Sequence, residues 1–178
     1  MLIKTVFSGF GGQGVIMMGY LFAMTGMYEE KNVTCLPSYG AEVRGGTANC
    51  TVVISTEEIA SPIASEPEFA VLMNNPSLFR FQNQVQSGGA IFLNSNMIET
   101  KPIRSDLKVF EIPVNDLAKQ LNEEKVANII MLGAFIKKSR LVSLETTVRA
   151  IKDTFSNRNQ AILKMNESAL SLGYDYLE

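Results

Sequence analysis

The sequence predicts a single α/β domain over residues 1–178, with a mixed β-sheet and a helical C-terminal third. Three observations predict it. A short apolar segment, Leu2 to Ser8, runs directly into a glycine-rich turn and then into an apolar stretch of helical length, Val15 to about Tyr28. An alternating segment, Thr47 to Ser55, follows only a tight glycine loop, which leaves no room for a crossover helix and calls for an antiparallel neighbour. Beyond Pro113, apolar residues recur at helical spacing to the end of the chain.

Taken in order, Leu2–Ser8 is a strand, the glycines turn it, and Val15–Tyr28 is a helix. Glu29-Glu30-Lys31-Asn32 is the polar turn before a second strand over Asn32 to Leu36, so the opening third resembles a βαβ unit with parallel strands. In Thr47–Ser55, Ala48, Cys50, Val52 and Ile54 share one face, the signature of a half-buried strand. Phe69 to Met73 is a compact buried strand. Asn75-Pro76-Ser77 opens a helix to about Gln86, and Gly88-Gly89 turns the chain into strands over Ala90–Leu93 and Leu107–Ile112. Helices are then expected over Asp116–Asn122, Val126–Lys138, Ser143–Phe155 and Asn157–Leu172, with Ser143 as a cap and Gly173 as the final stop. No linker, repeat or low-complexity tract divides the chain, and 178 residues suit one core of roughly 100–200 residues.

Composition narrows the function. Net charge is −2 and no basic run is longer than Lys137-Lys138, which leaves little attraction for nucleic acid. The N-terminus lacks the basic start and long apolar core of a signal peptide, and no stretch approaches the roughly 20 apolar residues of a membrane span. Cys35 and Cys50 lie far apart in apolar runs and read as buried, reduced thiols, so a cytoplasmic setting is expected. Histidine is absent, which removes histidine general bases and the commonest zinc ligand. Charged residues, at 19%, are scarce enough to suggest that partners cover part of the surface.

Two glycine-rich segments carry the functional signal. In Ser8-Gly9-Phe10-Gly11-Gly12-Gln13-Gly14-Val15, the glycines at 9, 11 and 14 fit the spacing of a dinucleotide-binding turn. The acid that should follow the second strand is missing from Thr34-Cys35-Leu36-Pro37. The structural alternative is a sharp turn that lets helix and strand pack closely. In Ser38-Tyr39-Gly40-Ala41-Glu42-Val43-Arg44-Gly45-Gly46, Arg44 offers a bidentate fork to a carboxylate or phosphate, or an internal pair to Glu42. Tyr39 reads as a packing anchor or hydrogen-bond donor rather than a catalytic acid. Asn74-Asn75-Pro76 supplies either amides at the sheet's C-terminal edge or simple turn chemistry. No nucleophile and base are paired by spacing.

Together with Ile59-Ala60-Ser61-Pro62, the run Val126-Ala127-Asn128-Ile129-Ile130-Met131-Leu132-Gly133 and the terminal helix around Ala169 and Gly173, these two motifs resemble the gamma subunit of 2-oxoacid:ferredoxin oxidoreductases over nearly the whole chain. The second motif is most similar to the 2-oxoglutarate branch. The resemblance implies a Rossmann-like three-layer domain whose mixed sheet can curl. It also implies a subunit inactive alone, within a complex that converts 2-oxoglutarate, coenzyme A and an oxidised acceptor into succinyl-CoA, carbon dioxide and the reduced acceptor. Thiamine diphosphate, Mg2+ and iron–sulfur clusters are then expected in alpha, beta and delta-type partner subunits, with ferredoxin or flavodoxin as acceptor; this chain alone is expected to bind no cofactor or metal. No catalytic residue is assigned to it. Gly9, Gly11, Gly12, Gln13 and Gly14, with Tyr39, Gly40, Glu42, Arg44, Gly45 and Gly46, are expected to contact other subunits or border the substrate and coenzyme A channel. The alternatives are a free-standing dinucleotide- or phosphate-binding protein that uses the Gly9–Gly14 loop, a gamma subunit for pyruvate or a branched-chain 2-oxoacid, and a non-catalytic assembly module.

Overall fold

The computed structural model describes residues 1–40, 47–63 and 65–177. Its elements are β1 (Leu2–Phe10), α1 (Val15–Tyr28), β2 (Asn32–Tyr39), β3 (Thr47–Ser55), β4 (Phe69–Leu72), α2 (Asn75–Phe81), β5 (Ala90–Asn94), β6 (Lys108–Ile112), α3 (Val114–Gln120), a 3-10 turn (Glu124–Val126), α4 (Ala127–Ser139), α5 (Leu144–Thr154) and α6 (Gln160–Tyr176).

The six strands form one open sheet in the order β2-β3-β1-β4-β5-β6. It does not close on itself. β1, β4, β5 and β6 are parallel, and β3 runs antiparallel to both β1 and β2. The mixed sheet expected from the alternating segment is therefore present. β1 and β2 run in the same direction, as a βαβ reading requires, but β3 is inserted between them.

The central strands β1, β4 and β5 are buried on both faces, while the edge strands β2 and β6 are largely exposed, and helices on either side give the expected three layers. On one face Phe7, Cys50, Val52, Val71 and Phe92 pack with α1, α3, α4, α5 and α6. On the other, Val6, Ala70, Leu72, Ile91 and Leu93 pack with Leu78 and Phe81 of α2 and with Ile98 and Leu107. Phe135 of α4 joins the first core: its ring meets Phe7, Phe22, Phe69 and Phe92 edge-on at centroid distances of 5.1–5.7 Å. The centre of the fold is thus an aromatic cluster contributed by β1, α1, β4, β5 and α4.

Several expectations are corrected. β3 is buried beyond its apolar face, since Asn49, Val53 and Ser55 on the other face are also buried while Thr47 and Thr51 stay half-buried; alternation reports what a strand prefers, and neighbouring chain overrides part of it. β2 continues past Leu36 to Tyr39 through Pro37, which an edge strand tolerates because it pairs on one side only. α2 ends at Phe81 instead of Gln86. α3 starts at Val114, directly after Pro113, and ends at Gln120. α6 begins at Gln160 and runs through Gly173 to Tyr176, so Gly173 is an interior residue and not a stop. Cys35 is exposed, and only Cys50 is buried.

A polar clasp joins the end of α1 to α5. The Glu29 carboxylate accepts from Ser143 N at 2.7 Å and from Lys31 Nζ at 2.8 Å, and Lys31 also donates to Leu141 O. Burial alone would raise the Glu29 pKa, but the hydrogen bonds from Lys31 and Ser143 outweigh it and hold the carboxyl below its ordinary value. A lowered folded pKa gives stability that is present above the unfolded value near 4.5 and lost as pH falls through the folded one. Glu29→Gln is therefore expected to lower the urea midpoint at pH 7 and leave it nearly unchanged at pH 3. Equal losses at both pH values would assign the effect to packing.

Candidate functional site

The first glycine segment leaves the C-terminal end of β1 and enters α1 through two left-handed residues, Gly12 (φ 102°) and Gly14 (φ 70°), where any side chain is strained. Gly14 caps α1 without a side-chain bond. Its missing Cβ also makes room for Asn128 at the start of α4, whose Nδ2 donates to Gly14 O at 3.2 Å.

Gln13 organises the turn. Its Oε1 accepts from Phe10 N at 2.7 Å and from Asn74 Nδ2 at 3.0 Å, while its Nε2 donates to Met73 O at 3.2 Å. A Cβ on Gly9 would lie 2.6 Å from that Oε1, so Gly9 gives the amide its seat. Asn74 in turn caps α2 by accepting from Ser77 N at 2.9 Å, and Ser77 Oγ meets Ser8 Oγ at 2.9 Å. The ends of β1 and β4 and the N-termini of α1, α2 and α4 are thereby tied into one network. For Asn74 the turn-chemistry reading is correct: both ends of its amide are used within the fold.

The two glycine segments reach the same sheet edge. Ala48 of β3 pairs with Gly9 on one side and with Tyr39 on the other, and Gly40 N continues the ladder to Thr47 O at 2.7 Å. Tyr39 is 72% exposed there. Gly11 lies in the turn beside Gly12 and is exposed. Glu42, Arg44, Gly45 and Gly46 lie outside the described residues.

Beside the first turn is a crevice of about 180 Å3 lined by Gly12, Gln13, Met73, Asn115, Lys125 and Asn128, among others. It lies where the chain order of the parallel strands changes direction, between β1 and β4, the place where open α/β sheets accept ligands. Lys125 and Asn128 also line an adjoining, more apolar pocket of about 480 Å3, with Met17, Ile129, Phe155 and Met165. Asn115, Glu124 and Lys125 are lining residues that sequence reasoning missed. Only the fold carries α3 and the 3-10 turn to the glycine turn, so no local signal marked them.

The dinucleotide alternative is not favoured by this geometry. The Gln13 amide occupies the inner side of the turn and takes the Phe10 N–H. The strand that would carry a ribose-binding acid is two positions from β1, roughly 10 Å away at ordinary strand spacing, and it bears no acid through Tyr39. Among the described residues there is no group of three or more Cys, Asp or Glu placed to hold a metal ion, and no helix is long and apolar enough to cross a membrane.

The family model for pyruvate ferredoxin/flavodoxin oxidoreductase matches residues 4–176. The chain belongs to this family. It is of the gamma-subunit type, as its two glycine motifs indicated. It is 32% identical over 171 residues to the 2-oxoglutarate synthase subunit KorC of Methanocaldococcus jannaschii, covering 94% of this chain and 90% of that protein. It is 33% identical over 175 residues to the ketoisovalerate oxidoreductase subunit VorA of Methanothermobacter marburgensis, covering 98% of this chain but only 36% of that longer protein. The chain thus spans about a third of the length of that relative. In three dimensions it superimposes on the gamma subunit of a keto/oxoacid ferredoxin oxidoreductase from Geobacter sulfurreducens with a TM-score of 0.83, 26% identity, and coverage of 97% of this chain and 96% of that one.

Proposed function

We propose that this chain is the gamma subunit of a 2-oxoglutarate:acceptor oxidoreductase and that its glycine-bearing sheet edge docks on the catalytic subunits beside the coenzyme A path. The overall reaction takes 2-oxoglutarate, coenzyme A and two oxidised one-electron acceptors to succinyl-CoA, carbon dioxide, a proton and two reduced acceptors. The observation that carries this reading is the register through Ala48, which brings the Gly9–Gly14 turn and Tyr39-Gly40 to one edge next to the Lys125 crevice.

The chain's own contribution is positioning. Close-approach glycines and an exposed Tyr39 suit subunit docking, and Lys125, shared by the polar crevice and the apolar pocket and flanked there by Glu123 and Glu124, is the cation that would meet a ligand phosphate while the apolar pocket takes an apolar arm. Two thiols fall short of the four ligands an iron–sulfur cluster takes, so the clusters, with thiamine diphosphate and Mg2+, belong to the alpha, beta and delta-type partners in this reading. Ferredoxin or flavodoxin receives the electrons from those partners, the complex works in the cytoplasm, and the gamma chain alone is inactive.

The test is a reconstituted complex assayed for coenzyme A-dependent 2-oxoglutarate oxidation with a low-potential dye. Lys125→Ala is expected to raise the KM for coenzyme A about tenfold while the subunits still copurify, the mark of lost ground-state binding. Gly12→Val combined with Arg44→Ala is expected to reduce copurification and turnover together. Wild-type kinetics in both variants would remove the channel reading. The similarity to VorA, equal to that to KorC, supports a second reading in which the substrate is a branched-chain 2-oxoacid. Comparing turnover on 2-oxoglutarate, pyruvate and 3-methyl-2-oxobutanoate decides between them.

A further inference from the structure

The two cysteines, far apart in sequence and expected to be buried, reduced thiols, are in contact: Cys35 Sγ and Cys50 Sγ are 3.3 Å apart. The strand register explains it. Cys35 lies opposite Val52 and Cys50 opposite Pro37, so the thiols are diagonal neighbours on one face of the β2–β3 pair. α1 passes over that face at Gly19, where a Cβ would fall 2.6 Å from Cys50 Sγ. The bare glycine leaves the space that the Cys50 thiol occupies.

We propose that Cys35 and Cys50 are a reversible dithiol/disulfide couple, oxidised by low-molecular-weight disulfides, that cross-links the edge strand β2 to β3. The two thiols are unequal in the way such a couple requires. Cys35 is exposed on the edge strand and open to attack on a small disulfide, whereas Cys50 is fully buried behind it. Either thiol can donate across this contact; with the buried Cys50 S–H as donor, the bond lowers the exposed Cys35 thiol to about 7 and, with burial, pushes the Cys50 thiol up. Cys35 is therefore the entering nucleophile as a thiolate, and Cys50 keeps its proton until the second step.

The chemistry balances in two exchanges. The Cys35 thiolate attacks one sulfur of the small disulfide; the S–S bond breaks and one small thiolate leaves, taking up a proton. Cys50 then gives up its proton and attacks Cys35 Sγ in the mixed disulfide, expelling the second small thiol. Two protein thiols become one protein disulfide, and the two electrons reduce the small disulfide to two thiols. The sulfurs must approach from 3.3 Å to about 2.05 Å, and because diagonal neighbours start about 7–8 Å apart, β2 shifts slightly towards β3 as the bond forms, a movement open to an edge strand paired on one side. The resulting bridge fastens the edge strand β2, which pairs on one side only, covalently to β3.

The test uses the full chain purified without oxygen and incubated in glutathione redox buffers of increasing potential. Free thiols are counted, intact mass is measured, and disulfides are mapped by digestion without reductant. The expected result is joint loss of both thiols, a mass loss of two hydrogens, a Cys35–Cys50 peptide, and a rise in Tm of about 5 °C reversed by dithiothreitol. Cys50→Ser is expected to halt at the glutathione adduct on Cys35, and Cys50→Ala, which places no hydroxyl in the core, is read the same way. A stable glutathione adduct on the unaltered chain, a Cys35–Cys35 link between two chains, or a Cys35 that does not react while the protein is folded would each overturn the proposal.

Discussion

Gly173→Ala is expected to lower the stability of the chain by about 3 kcal/mol or more, the range reached when a core contact cannot relax. An added Cβ would lie 1.8 Å from the Ile130 carbonyl oxygen and 2.6 Å from its carbon, both backbone atoms of α4. Gly133 answers from the other helix, where a Cβ would fall 2.1 Å from Leu170 O and 2.7 Å from Tyr174 N. The two helices therefore cross backbone to backbone, and neither can yield by rotating a side chain. α4 is buried along almost its whole length and carries Phe135 into the aromatic cluster, so α6 must give way, exposing Ala169 and Leu170. The urea midpoint followed by far-ultraviolet circular dichroism measures the effect. A midpoint equal to that of the unaltered chain would mean that α4 and α6 are not in backbone contact.

The second large effect is at the glycine turn. Gly9→Val is expected to cost about 2–3 kcal/mol and to abolish most of the turnover of the assembled complex. The new side chain would collide with Gln13 Oε1 at 2.6 Å, Val15 Cγ1 at 2.9 Å and Met73 Cβ at 3.0 Å. Of these only the Gln13 amide is free to leave, and its departure unpairs Phe10 N and Met73 O and breaks the link to Asn74. A double-mutant cycle isolates this mechanism. Gly9→Ala and Gln13→Ala should each destabilise by about 1–3 kcal/mol, and the double variant by about 1 kcal/mol less than their sum, because the new methyl group then occupies the space the amide has left. Additive losses would separate Gly9 from Gln13. Full stability of Gln13→Ala would show that the amide network contributes nothing to the turn.

Legibility in the sequence followed the range of each interaction. β1, the glycine turn and α1 were readable because strand, turn and helix each leave a local pattern there. Ser143 as a cap was readable for the same reason, and it does accept from Thr146 N. Gly173 was misread as a stop, because a glycine near the end of an apolar helix pattern looks the same whether it ends the helix or lets another helix touch it. The half-buried reading of β3 failed because alternation cannot reveal a second covering layer. The contact between Cys35 and Cys50 left no trace in the sequence because it exists only once β2 and β3 pair in one register.

The sequence by itself determined the α/β class, the antiparallel direction of β3, the absence of any histidine chemistry and the family, because periodicity, residue inventory and two long glycine motifs are local properties of the chain. Tertiary structure alone decided that β3 would separate β1 from β2, that Gln13 would fill its own turn, that both glycine segments would meet through Ala48, and that two thiols would touch. Each of these is a pairing between residues distant in the chain, set by strand register and helix crossing, and no local pattern encodes which of the available partners a group will meet.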